Sequence, residues 1–207
     1  MFPWTDSKLK LENALRTQKL SFKVEGMVTH ENLLLVFDSH CCSVINSEKL
    51  GIDAEISVTG FEGTIERAMW IDLVIFGLVT DKGFHIFDTS ENYNAPYFSI
   101  MWTEDFGFKS VCVSPNTRIV FVLNKKGQLA KSPITNTRIE PDEMDQMQFI
   151  CSDLGLLKNM DFIIFENKFG LWKFNAESEE WDSVYLVRQK MLFHFIICLI
   201  SKYILVQ

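Results

Sequence analysis

The stretch Asp72–Thr89 reads DLVIFGLVTDKGFHIFDT: two apolar runs either side of the polar turn Asp81-Lys82-Gly83. Each run is rich in Val, Ile, Leu and Phe and is short for a helix, which points to a pair of buried strands. The turn between them carries residues that favour a tight reversal. Glycine there supplies a positive φ at no steric cost, so the segment is expected to form a β-hairpin.

The same grammar recurs at Asn32–Ser47 (NLLLVFDSHCCSVINS), Arg118–Pro133 (RIVFVLNKKGQLAKSP) and Asp161–Ala176 (DFIIFENKFGLWKFNA). The closing dipeptides Ile45-Asn46, Phe87-Asp88, Lys131-Ser132 and Phe174-Asn175 are spaced 42, 44 and 43 residues apart. Gly83, Gly127 and Gly170 stand at matching places in three of the four turns. Strand-like runs flank every hairpin. Before it come Phe22–Val28, Ile65–Trp70, Lys109–Val113 and Asp153–Leu157; after it come Ala54–Thr59, Pro96–Trp102, Met147–Ser152 and Trp181–Val187. Each unit therefore holds four strands, a to d, with b and c forming the central hairpin.

A four-stranded sheet cannot bury both faces alone, but sheets stacked face against face around an axis can. The b and c strands should then be apolar almost continuously instead of alternating, as in Phe162-Ile163-Ile164-Phe165. A repeat of about 40–45 residues with four strands resembles a degenerate WD40-like propeller blade. The resemblance spans Phe22 to Val187, and Phe87-Asp88 and Phe174-Asn175 look like weakened forms of the family's Trp-Asp dipeptide. No Gly-His pair opens a unit, and the one Trp-Asp, Trp181-Asp182, lies in a d strand. The family's His–Ser/Thr–Asp–Trp hydrogen-bond network is therefore not carried over. Such eroded blades are similar to those at the N-termini of large scaffolds, among them kinetochore Rod proteins and Sec39-type tethering proteins. That resemblance implies a non-catalytic scaffold, the propeller portion of an assembly subunit, with a Rod-type checkpoint or vesicle-tethering subunit as the narrower form.

The expected organisation is an N-terminal segment 1–21 (short helix or outer strand), four blades over 22–187 (about 22–59, 65–102, 109–152 and 153–187), and an apolar tail 188–207. The fold class is all-β: a WD40-like β-propeller of about four four-stranded blades plus a partial fifth. Leu192–Ile200 and Tyr203–Val206 read as the opening strands of that fifth unit. An incomplete ring, and hence a truncated isoform or fragment of a longer scaffold, is the expectation. The alternative is a small ring whose tail closes against the N-terminal segment. Met191–Val206 carries His194 and Lys202 and is shorter than the roughly 20 apolar residues a membrane-spanning helix needs, so no membrane span is expected. The N-terminal stretch MFPWTDSKLKLENALRTQKL lacks the basic start and apolar run of a secretory signal.

Apolar residues make up 47% of the 207, charged residues 23%, with only 10 Gly and 5 Pro, which excludes a disordered or linker-like chain. The net charge of −7 argues against nucleic acid as a partner. Five cysteines without a CxxC pair, and four scattered histidines, do not form a disulfide framework or a zinc module. They read as reduced thiols of an intracellular protein, cytoplasmic and, in the Rod-type form, kinetochore-associated. His40-Cys41-Cys42 is the most ligand-like cluster, but adjacent cysteines on a strand point to opposite sides. His85, between Phe84 and Ile86, reads as a satisfied buried histidine. GxGxxG, GxxxxGKS/T and GxSxG motifs are absent, and no catalytic, cofactor or metal residues are assigned. A propeller hydrolase would need acidic and histidine side chains converging at the a strands. Glu25, Glu66, Lys109 and Asp153 do not compose such a cluster.

Blade geometry also yields a charge map. The b–c turns carry Lys82, Lys125, Lys126 and Lys168, and the d–a connections add Glu104, Asp105 and Asp153 to that side. The c–d connections, on the opposite side, carry Glu48, Glu91, Glu140, Asp142, Glu143, Asp145, Glu177, Glu179 and Glu180. Glu140, Asp142, Glu143, Asp145, Glu177, Glu179 and Glu180 are the candidate interaction surface, suited to a basic protein partner within a multiprotein complex. The run Glu140–Asp145 lacks EF-hand spacing and is expected to be a solvated loop.

Overall fold

The computed structural model describes residues 20–48, 55–90, 93–114, 116–157, 162–167, 170–175 and 180–186. Most of segment 1–21 and all of the tail 188–207 lie outside these, and so does Cys198. Among the described residues there is no α-helix. Strands form where the apolar runs are, separated by the polar turns.

The first sheet is an up-and-down meander of β1 (Gly26–His30), β2 (Leu33–Phe37), β3 (Cys42–Asn46) and β4 (Glu55–Val58), in that spatial order. The second contains β5 (Ile65–Trp70), β6 (Ile75–Thr80), β7 (Gly83–Asp88) and β8 (Phe98–Met101). The third is β9 (Phe108–Ser114), β10 (Ile119–Asn124), β11 (Gln128–Pro133) and β13 (Asp145–Ile150). The fourth is β14 (Asp153–Leu157), β15 (Phe162–Asn167), β16 (Gly170–Asn175) and β17 (Glu180–Leu186). A two-residue strand, β12 (Arg138–Ile139), leaves the third unit's c–d connection and joins the second sheet beside β8. It runs parallel to β8, with Arg138 opposite Ser99 and Ile139 opposite Ile100.

Two compact units divide the chain. One runs to Asp81 and takes back His85–Pro96; the other holds Lys82–Phe84 and everything from Tyr97. In the first, Leu35, Val44, Phe76, Leu78 and Phe87 form a core shared by the first two sheets, with Val28 and Trp70 packed against it. Trp70 donates its indole N–H to Val28 O at 3.1 Å, and its ring lies 5.9 Å from that of His30. In the second unit, Phe121, Leu123, Leu129, Cys151 and Phe174 form the core shared by the third and fourth sheets. All six residues of β6 are buried, as expected for a strand covered on both faces.

Three details differ from the expectations drawn from sequence. The first a strand begins at Gly26 and not at Phe22, because its partner β2 ends at Phe37 opposite Gly26. Before Gly26 only Glu25 N still reaches Phe37 O. Gly127 takes the positive φ expected of the turn glycines (+84°), whereas Gly83 is already the first residue of β7. And Glu140–Asp145, expected to be a solvated loop, does expose its carboxylates but also contains a 3-10 turn at Pro141–Glu143.

Candidate interaction surface

The acidic run owes its order to anchors at both ends. Before it, Thr137 O accepts from Ser99 N at 3.1 Å and β12 pairs with β8. After it, Asp145 is the first residue of β13, opposite Lys131 of β11. Between these, Pro141–Glu143 form one 3-10 turn, which proline's fixed φ favours at its start. The Glu143 carboxylate accepts from Glu140 N at 2.6 Å, half of a capping box. Gln146 Nε2 donates to Pro141 O at 2.7 Å and tacks the turn to β13. Pro141 and Met144 are buried, while Glu140, Asp142, Glu143 and Asp145 are all exposed. Four carboxylates thus face water from a backbone that is already ordered, so a partner need not pay the entropy of ordering a loop.

Of the other candidates, Glu180 opens β17 in the fourth sheet, and Glu177 and Glu179 lie outside the described residues. The residues that hold the turn, Thr137, Ile139 and Gln146, belong to no motif in the sequence. The visible signal is faint: the lone isoleucines Ile134 and Ile139 in an otherwise polar stretch. The same lacing occurs in the other unit, where the c–d connection of the second sheet reaches the end of β4. Thr59 N donates to Tyr93 O at 2.9 Å, and Thr59 Oγ1 donates to Asn94 Oδ1 at 3.3 Å.

The groups with chemical potential serve the turns. Asp38 Oδ1 accepts from His40 N (2.7 Å) and Cys41 N (2.6 Å). These backbone donors, His40 first, hold its carboxyl below the ordinary value. Cys41 is exposed and Cys42 buried, so the adjacent thiols do diverge. Thr80 Oγ1 donates to Glu62 O at 2.7 Å, and buried His85 places Nε2 3.2 Å from the same carbonyl. Asp81 Oδ1 accepts from Thr64 N at 2.6 Å. Thr80, Asp81 and His85 thus clamp the preceding d–a connection by its backbone.

Burial pushes the Cys42 and Cys151 thiols up to about 12. Unfolded, they ionise near 8.5. Between those values the folded chain keeps protons that the unfolded chain has released, so stability is full below about pH 8.5 and falls as pH rises through that window. The urea midpoint should therefore drop between pH 8 and pH 10. In mass-spectrometric footprinting of the native chain at pH 8, iodoacetamide should modify Cys41 well before Cys42, Cys112 or Cys151. Equal labelling of Cys41 and Cys42 contradicts the burial.

Repeated four-stranded antiparallel meanders, stacked in pairs over apolar b and c strands, define the β-propeller class. Within that class, Hsv2 of Kluyvelomyces marxianus, a WD40/β-propeller protein, is similar to this chain, with a TM-score of 0.53 and 8% sequence identity. The match covers 80% of this chain and 59% of that one, so the chain spans less than two thirds of its length. At that identity the likeness is one of fold. No family model matches the sequence, and no curated protein matches it.

Proposed function

We propose that the chain is a non-catalytic protein–protein interaction scaffold, the propeller portion of a subunit in a larger assembly. The observation that carries this reading is the ordered turn presenting Glu140, Asp142, Glu143 and Asp145 to solvent. A preformed acidic projection attracts basic protein surfaces and sets their orientation. The net charge of −7 favours such partners over nucleic acid. Among the described residues no helix is long and apolar enough to cross a membrane. The narrower readings, an intracellular Rod-type kinetochore or Sec39-type tethering subunit, take their support from the resemblance of the sequence. Co-precipitation with subunits of such a complex would uphold them, and consistent absence under mild lysis would remove them.

The acidic turn is tested with a deca-arginine peptide as probe. The triple variant Glu140→Gln, Asp142→Asn, Asp145→Asn leaves the capping Glu143 in place. Three exposed charges at about 0.5 kcal/mol each should weaken binding about tenfold at low salt. The difference should vanish near 0.5 M salt as screening shortens the reach of each charge. Unchanged affinity at low salt removes this turn as the contact.

A further inference from the structure

We infer that the turns at one end of the first unit form a docking surface for a basic amphipathic segment of a protein partner, whose apolar side covers Leu73 and Val74. These two residues lie in the turn between β5 and β6 and are 53% and 40% exposed. The backbone there is fixed. Asp72 Oδ1 accepts from Val74 N and Ile75 N, each at 2.8 Å. Ile71 N donates to Ile75 O at 2.8 Å, and Thr89 N donates to Val74 O at 2.7 Å. Nothing in that geometry calls for aliphatic side chains: the equivalent turns of the first and third sheets carry Glu31-Asn32 and Asn116-Thr117-Arg118. Two adjacent aliphatic side chains held half in water on a fixed turn gain free energy when another apolar surface covers them.

The surroundings set the charge of the partner. His30 and Trp70, whose rings stack at 5.9 Å, end β1 and β5, so the turn Glu31-Asn32 lies beside the apolar tip. Asn32 Nδ2 donates to Glu48 Oε1 at 2.6 Å and brings a second carboxylate to this end. On the other side Asp88 adjoins Thr89, the residue bonded to Val74 O. Glu31 and Glu48 are exposed and Asp88 is half-buried, and among the described residues of these connections there is no lysine or arginine. A second copy would set these carboxylates against its own, and an anionic lipid surface would be repelled in the same way. Lysines or arginines flanking an apolar stripe meet them with the opposite charge. The inference rests on the scaffold reading in one respect, that the occupant is a protein segment.

The probe is a dansyl-labelled peptide of about 14 residues, leucine and lysine alone, patterned as an amphipathic helix. It is titrated against the full chain and against the double variant Leu73→Asn, Val74→Thr, which installs the polar residues of the third sheet's turn and keeps the Asp72 cap. At about 0.5 M salt, where exposed charges are screened, the double variant should bind about tenfold more weakly for the loss of two aliphatic contacts. The effect expected of the acidic turn has vanished at that salt, so failure of this surface and failure of that turn are told apart. At low salt the pair Glu31→Gln, Glu48→Gln should weaken binding severalfold, an effect that added salt abolishes. Equal binding of the parent and the double variant overturns the inference, and unchanged affinity of the glutamine pair at low salt overturns the basic partner. So does sedimentation of the parent, but not of the double variant, with phosphatidylcholine vesicles, which would assign the tip to a membrane.

Discussion

Phe76→Ala is expected to cost about 3–5 kcal/mol, the range for deleting a phenyl ring from a packed core. The ring is fully buried and lies parallel to Phe87 at 5.2 Å and 9°. On another side it meets Trp70 edge-on at 5.5 Å and 65°. Trp70 in turn reaches β1 through its bond to Val28 O, so the cavity would open in the stack that joins the first two sheets. Urea denaturation of the full chain measures the loss, and the thermal midpoint should fall by roughly 10 °C for a chain of this size. Met27, 60% exposed on β1, is the control: Met27→Ala should stay within about 0.5 kcal/mol of the parent. Native hydrogen exchange should show the loss first in β1, β2, β5 and β6. A Phe76→Ala chain within about 1 kcal/mol of the parent would mean that those sheets do not share a core.

Gly127→Ala is expected to be strongly destabilising. The backbone there has φ +84°, and a Cβ would lie 2.7 Å from Cys151 O and 2.9 Å from Ile150 Cγ2. The left-handed conformation alone costs an L-residue about 1–2 kcal/mol. The close approach adds to this, because Cys151 N donates to Gly127 O at 2.8 Å and holds the two backbones together. Asn124, buried, locks the same turn through bonds from Lys126 N (3.0 Å) and Gln128 N (2.9 Å) to its side-chain carbonyl. A total of about 2–4 kcal/mol follows, read from urea midpoints. Gly155 gives the contrast: it lies in β14, and a Cβ added there would meet nothing within 4 Å. Gly155→Ala should be neutral or stabilise by up to about 1 kcal/mol through reduced chain entropy. If the two alanines behave alike, the tight turn at Gly127 is not as described.

These two sites also show how legible the chain is. The hairpin around Gly127 is readable, because apolar runs and turn residues act over a few neighbouring positions. Gly83 occupies the matching place in sequence, yet there the two-residue turn Asp81-Lys82 closes the reversal and the glycine opens β7. Which glycine bears a positive φ depends on the length of the turn, and the repeat pattern does not encode that. The acidic residues of the candidate surface are visible as charges, but their order is not. It comes from Pro141 and Met144 being buried and from Gln146 reaching back across the turn.

By itself the sequence determined that the chain is built from evenly pitched four-stranded units, because hairpin turns and two-sided burial leave local marks at every repeat. Only the tertiary structure decided that Arg138–Ile139 leaves its own unit to cover β8, and that the neighbouring carboxylates are thereby held in place. Pairing between residues so far apart, over two positions and in parallel, depends on which backbone edge is left open. That is known only once the sheets have formed.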